Sequence, residues 1–121
     1  MLGAELWWEE DPDSWPAVKA PPYRDLDELV RLEAPDVAAT SHFSRVLRRL
    51  AVARDCLPPQ VAIGGVDMMS PLGDLQAIMD QTLLFLSMKR APEAIQRACE
   101  VITSTQEAVQ EAALAVVGGE T

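Results

Sequence analysis

A chain of 121 residues with 49% hydrophobic content fits one ordinary domain with a real core, so it does not read as a disordered segment. Ten Lys and Arg stand against 19 Asp and Glu, and the resulting net charge of −9 repels a phosphate backbone, which argues against nucleic acid as a partner. Cys56 and Cys99 stand far apart, with no second Cys or His at ligand spacing; neither a zinc site nor a disulfide framework is expected, and a reduced, cytoplasmic setting fits best.

The amino end, Met1-Leu2-Gly3-Ala4-Glu5, has no basic stretch leading into an apolar one, so no secretory signal is expected. From Met1 to Pro22 the chain is acidic and rich in proline and tryptophan. Leu6-Trp7-Trp8 reads as a short strand, while Pro12, Pro16, Pro21 and Pro22 block any helix. Trp7, Trp8 and Trp15 carry too much apolar area to leave in water and are expected to pack on a neighbouring element or on a partner. Asp25-Leu26-Asp27-Glu28-Leu29 reads as a short helical turn whose acids offset the exposed N–H dipoles at its start, and it ends before Pro35.

From Ser41 to Leu57, Phe43, Val46, Leu47, Leu50, Ala51 and Leu57 follow the three-and-four spacing of one helix face, capped by Thr40 or Ser41 and ended by Pro58-Pro59. Arg45, Arg48, Arg49 and Arg54 fall opposite, with no aromatic residues interleaved to stack on bases, and read as a solvated face. Gln60-Val61-Ala62-Ile63 then reads as a strand buried on both faces, turned by Gly64-Gly65. The longest uncharged stretch, Cys56 to Val66, contains two prolines and falls short of the ~18 apolar residues a spanning helix needs, so no membrane segment is expected.

Ser70-Pro71 supplies an N-cap and a first-turn proline for a helix carrying Leu72, Leu75, Ile78 and Met79. Asp80 restarts the pattern, which Thr82, Leu83 and Leu86 continue to Lys89-Arg90. Pro92-Glu93 opens the longest helix, with Ile95, Ala98, Cys99, Ile102, Val109, Ala112, Ala113 and Val116 as its stripe and Gly118-Gly119 as its close. The expectation is a mostly helical α/β chain with one or two short strands: an acidic connecting segment over 1–40, then a helix-strand-helices segment over 41–121.

Gly64-Gly65-Val66-Asp67-Met68-Met69-Ser70-Pro71-Leu72, followed by Asp80, Leu84 and the pair Pro92-Glu93, resembles the uroporphyrinogen decarboxylase superfamily. In that family a strand leads into a small-residue-Pro turn and a helix, then a glycine, an acid, leucines and a Pro-Glu helix start. The twelve-residue spacing from Asp80 to Pro92 keeps the family's register. Upstream, Gly3-Ala4-Glu5, the prolines near Trp15 to Pro22, Asp25 to Leu29 and Ala34-Pro35-Asp36 resemble its connection from an early strand, so nearly the whole chain is covered. Asp80 stands for the usual glycine, Thr82 for the acid and Ser87 for an Asp, and Ala77 occupies the place of a pocket tyrosine, which marks a divergent member. The resemblance implies part of a TIM barrel, and a barrel typically needs about 200 or more residues. The parent chemistry would be decarboxylation of a porphyrinogen or corrinoid-linked methyl transfer. The family's catalytic aspartate, arginines, serine and histidine, and the zinc ligands of its methyltransferases, match no position of this chain.

No catalytic residue, metal or cofactor is therefore expected of this chain alone. Pocket-facing candidates are Asp67, Met68 and Ser70, on the turn that follows the expected strand. Each has a plainer role: Asp67 as an acid holding turn or helix N–H groups, Met68 as a core filler, Ser70 as a cap with no base to activate it. His42 opens a helix away from that turn, and the acid pairs Glu9-Glu10 and Glu100-Glu107 read as exposed charge. The partner is then a complementary barrel fragment or a second copy. The competing reading is a non-enzymatic helical interaction and oligomerisation module working through its tryptophan segment and the open edge of the expected strand.

Overall fold

The structure is a computed structural model, and it describes residues 2–11 and 13–118. Pro12, expected to break helix, and Gly119, expected to help close one, lie outside the described residues. The protein is mostly helical with one small antiparallel sheet, in the order β1 (Leu6–Trp7), β2 (Ala17–Val18), α1 (Leu26–Val30), a 3-10 turn (Val37–Ala39), α2 (Ser41–Cys56), α3 (Pro71–Ile78), α4 (Gln81–Arg90) and α5 (Pro92–Val117).

The helix starts follow from local chemistry. Asp25 accepts from the Glu28 amide at 2.7 Å, and the Glu28 carboxylate reaches back to the Arg24 amide at 2.7 Å, a variant of the capping box. Ser70 caps α3 by accepting from Gly73 N at 3.1 Å with Pro71 in the first turn, and Asp80 caps α4 by accepting from Leu83 N at 2.9 Å. Thr40 holds the N-cap position of α2 without a side-chain bond to it, its hydroxyl donating to the Val37 carbonyl instead. At the far end of α5, Gly118 takes φ +69° and donates to the Leu114 carbonyl, the left-handed close that a glycine makes without strain.

The chain divides into two compact units, and neither is a continuous stretch. One comprises 2–34 and 69–103, the other 35–68 and 104–118, with α5 contributing its first part to the former and its second to the latter. The core of the first unit gathers Leu29, Leu32, Leu75, Ile78, Met79, Leu84, Ile95, Ala98 and Ile102. Tyr23 ties the amino-terminal stretch to the α3–α4 junction through a parallel bridge to Met79, with Tyr23 N donating to the Ile78 carbonyl at 3.0 Å. Arg97 of α5 donates to the Val30 carbonyl at 2.7 Å and so satisfies an open acceptor at the end of α1. The second unit packs Val37, Phe43 and Val109 with Val46, Leu47, Val66, Met68, Ala108 and Ala112.

Two expectations need correction. Gln60-Val61-Ala62-Ile63 is not a strand: Val61 N donates to the Pro58 carbonyl at 2.9 Å, closing a turn around Pro59, and the residues beyond run irregular and mostly exposed. A strand is held by a neighbour that accepts and donates across it, and no described residue pairs with this one. On α4 the buried residues are Leu84 and Ser87, with Thr82 and Leu86 on the exposed side. The sheet that does form lies in the amino-terminal segment, pairing Leu6 with Val18 and Trp7 with Ala17.

Candidate functional site

The turn singled out by the sequence has three distinct local settings. The Asp67 carboxylate is exposed. Met68 is half-buried and packs against the core around Val37, Phe43 and Val109. Both belong to the second unit, whereas Ser70 belongs to the first, where its hydroxyl caps α3. Next to Asp67 the chain is held by a contact that sequence reading missed: Gln110 of α5 donates from Nε2 to the Val66 carbonyl at 2.5 Å. A methyl group on Gly65 would stand 2.6 Å from the Gln110 Oε1, so the glycine makes room for that amide. Ala77 is half-buried in α3.

The hairpin is built from short-range polar links. Lys19 N donates to the Glu5 carbonyl at 2.9 Å beside the strand pair, and the Lys19 ammonium meets the Glu5 carboxylate at 3.1 Å. In the connecting loop the Asp11 carboxylate accepts from Asp13 N at 3.0 Å, its carbonyl accepts from Ser14 N at 3.1 Å, and the Ser14 hydroxyl donates to Glu9 at 2.8 Å. These bonds shape the loop without covering its aromatic rings. Trp7 is 50% exposed, Trp8 63% and Trp15 89%. The expected packing of the tryptophans on a neighbouring element of the chain is therefore not found. Indoles this open are unusual, because each buries roughly 150–250 Å² when covered.

Two further surfaces stand out. On α4, Phe85 is 65% exposed, and Leu86 and Met88 are also largely open. On α2, Arg45, Arg48, Arg49, Val52, Ala53, Cys56 and Leu57 line a shallow open depression of about 510 Å³. Arg45 lies 3.5 Å from the His42 ring at the exposed start of the same helix.

Titration is perturbed at two groups of the first unit. Partial burial raises the Tyr23 phenol above its ordinary value, with the Glu28 carboxylate adding to the effect, and burial alone pushes up the Cys99 thiol beside the core. Both shifts favour the neutral form. Among the described residues no three His, Cys, Asp or Glu side chains converge as a metal cluster, and no helix is long and apolar enough to cross a membrane. Comparison with protein-family models, curated proteins and solved structures returns no match.

Proposed function

We propose that the chain is an interaction and oligomerisation module that associates with a second copy of itself through its tryptophan hairpin. The exposure of Trp7, Trp8 and Trp15 on one small hairpin carries this reading, since covering them removes several hundred Å² of apolar surface from water. The open edges of a two-stranded sheet add unpaired backbone groups at the same place. A reducing, cytoplasmic setting goes with it, supported by the free, exposed Cys56 thiol. Size-exclusion chromatography with light scattering is expected to show dimers or larger species that dissociate on dilution, with tryptophan emission shifting to the red as they do. A monomer at every concentration, with unchanged emission, ends the reading.

A second reading has support of its own. As a partial uroporphyrinogen-decarboxylase-like segment of a TIM barrel, the chain would serve a parent activity of porphyrinogen decarboxylation or corrinoid-linked methyl transfer together with a complementary fragment. Its support is the series of helix starts at Ser70-Pro71, Asp80 and Pro92, which keeps the family's order and spacing. On this reading Gln60 to Ile63 become a strand when parallel neighbours are supplied, and Asp67, Met68 and Ser70 face the shared pocket. Co-expression with a neighbouring frame encoding the missing strands is expected to give a monodisperse complex with added strand signal in circular dichroism. Adjacent DNA without barrel sequence would sink it.

A further inference from the structure

We infer that the arginine-bearing face of α2 is the surface that receives the acidic tryptophan hairpin of a second copy of this chain. The inference rests on the reading that the hairpin drives association, and it adds the place where the hairpin docks.

The receiving face is assembled by helical spacing. Arg45, Arg48, Arg49, Val52, Ala53 and Cys56 recur every three or four residues, so their side chains share one side of α2. Phe43, Val46 and Leu47 carry the helix to its core. The result is an apolar floor fringed by guanidinium groups, in which Val52 is 60% exposed and Leu57 39%. Four of the chain's ten Lys and Arg, the three above and Arg54, stand on this one helix, against a single acid, Asp55. Among the described residues none of Arg45, Arg48 and Arg49 forms an ion pair. On a chain of net charge −9, such a face is a local reversal of sign.

The hairpin has the complementary chemistry. Residues 5–19 hold five carboxylates, Glu5, Glu9, Glu10, Asp11 and Asp13, against one cation, Lys19, interleaved with the three open indoles. An indole laid on the depression covers Val52 and Leu57 while its face meets a guanidinium group, which is attracted to the negative ring face. The flanking carboxylates then lie within reach of the remaining arginines as charge-assisted hydrogen-bond acceptors. Neither surface is complementary to itself, because arginine would meet arginine or carboxylate would meet carboxylate. The contact therefore joins unlike surfaces of two copies.

The test is a charge exchange in the full chain. One variant carries Arg48→Glu and Arg49→Glu, and the other carries Glu10→Arg and Asp13→Arg, all at exposed positions. Circular dichroism checks that each is folded, and Arg48→Gln with Arg49→Gln serves if the reversal disturbs α2. In sedimentation velocity each variant alone is expected to associate about tenfold or more weakly than the parent chain, because like charges then face each other. An equimolar mixture is expected to associate again, since the glutamates introduced on α2 now meet the arginines introduced on the hairpin, and the unchanged basic α2 meets an unchanged acidic hairpin. If the parent chain and the α2 variant associate equally, the hairpin reading stands and the docking site falls. Failure of the mixture to recover overturns the direct contact, and a monomeric parent chain removes the reading beneath it as well.

Discussion

At the scale of single residues, the Gln110 amide is the contact most exposed to test. It spans 44 positions of sequence to reach the Val66 carbonyl, and Gly65 leaves the space it occupies. Gln110→Ala is expected to cost about 1 kcal/mol by leaving a half-buried carbonyl short of its donor. Gly65→Ala displaces the same amide, so it should destabilise the parent chain yet cost almost nothing when residue 110 is already alanine. Urea denaturation of the two single variants and the double one measures that coupling, and additive losses would show that the two positions act independently. The cysteines divide in the same physical way. Burial raises the Cys99 thiol, so at any given pH less of it is thiolate, while Cys56 is exposed. At mildly alkaline pH an alkylating reagent followed by mass spectrometry is expected to label Cys56 first. The Ser70 cap was legible from sequence because its bond closes within three residues, and Asp25 and Asp80 marked helix starts without their capping bonds being read; the Gln110 bond was not legible, since nothing local announces it.

At the scale of elements, periodicity located the helices and misplaced one face. α5 shows its stripe clearly, because Ile95, Ala98, Ile102, Val109 and Ala113 alternate with charge. Leu83-Leu84-Phe85-Leu86 is apolar in every direction, so spacing alone leaves the buried side of α4 undetermined, and packing selects Leu84. Leu84→Ala is accordingly expected to lose about 2–5 kcal/mol of stability in thermal or urea unfolding, against less than about 1 kcal/mol for the exposed Leu86→Ala. Equal losses would put the wrong side inward. The misread strand at Gln60 to Ile63 has a related cause: β-branched composition reports a preference, whereas a strand exists only where another supplies its hydrogen bonds. The Ala17–Val18 strand escaped notice because it is a short pair of small and branched residues set between Pro16 and Pro21, whereas the aromatic Leu6-Trp7-Trp8 announced the equally short strand that it pairs with.

At the scale of the whole molecule, each copy carries one hairpin and one α2 face, so a pair of copies either exchanges both contacts around a two-fold axis or leaves one of each surface open to a further copy. Sedimentation equilibrium separates the two outcomes: the weight-average mass levels off at twice that of the chain for the reciprocal pair and keeps rising with concentration for the open assembly. The division of the chain has a different consequence, for its biosynthesis. Leu29 and Leu32 emerge from the ribosome long before Leu75, Ile78, Leu84 and Ile102, the residues that bury them. A nascent chain must hold those leucines unburied while 35–68 is being made, and bringing the ends of that loop together carries an entropic cost. Ribosome-stalled chains of increasing length should therefore gain protease resistance late, once Thr103 has cleared the exit tunnel, which makes the amino-terminal third a natural client for a holding chaperone during translation.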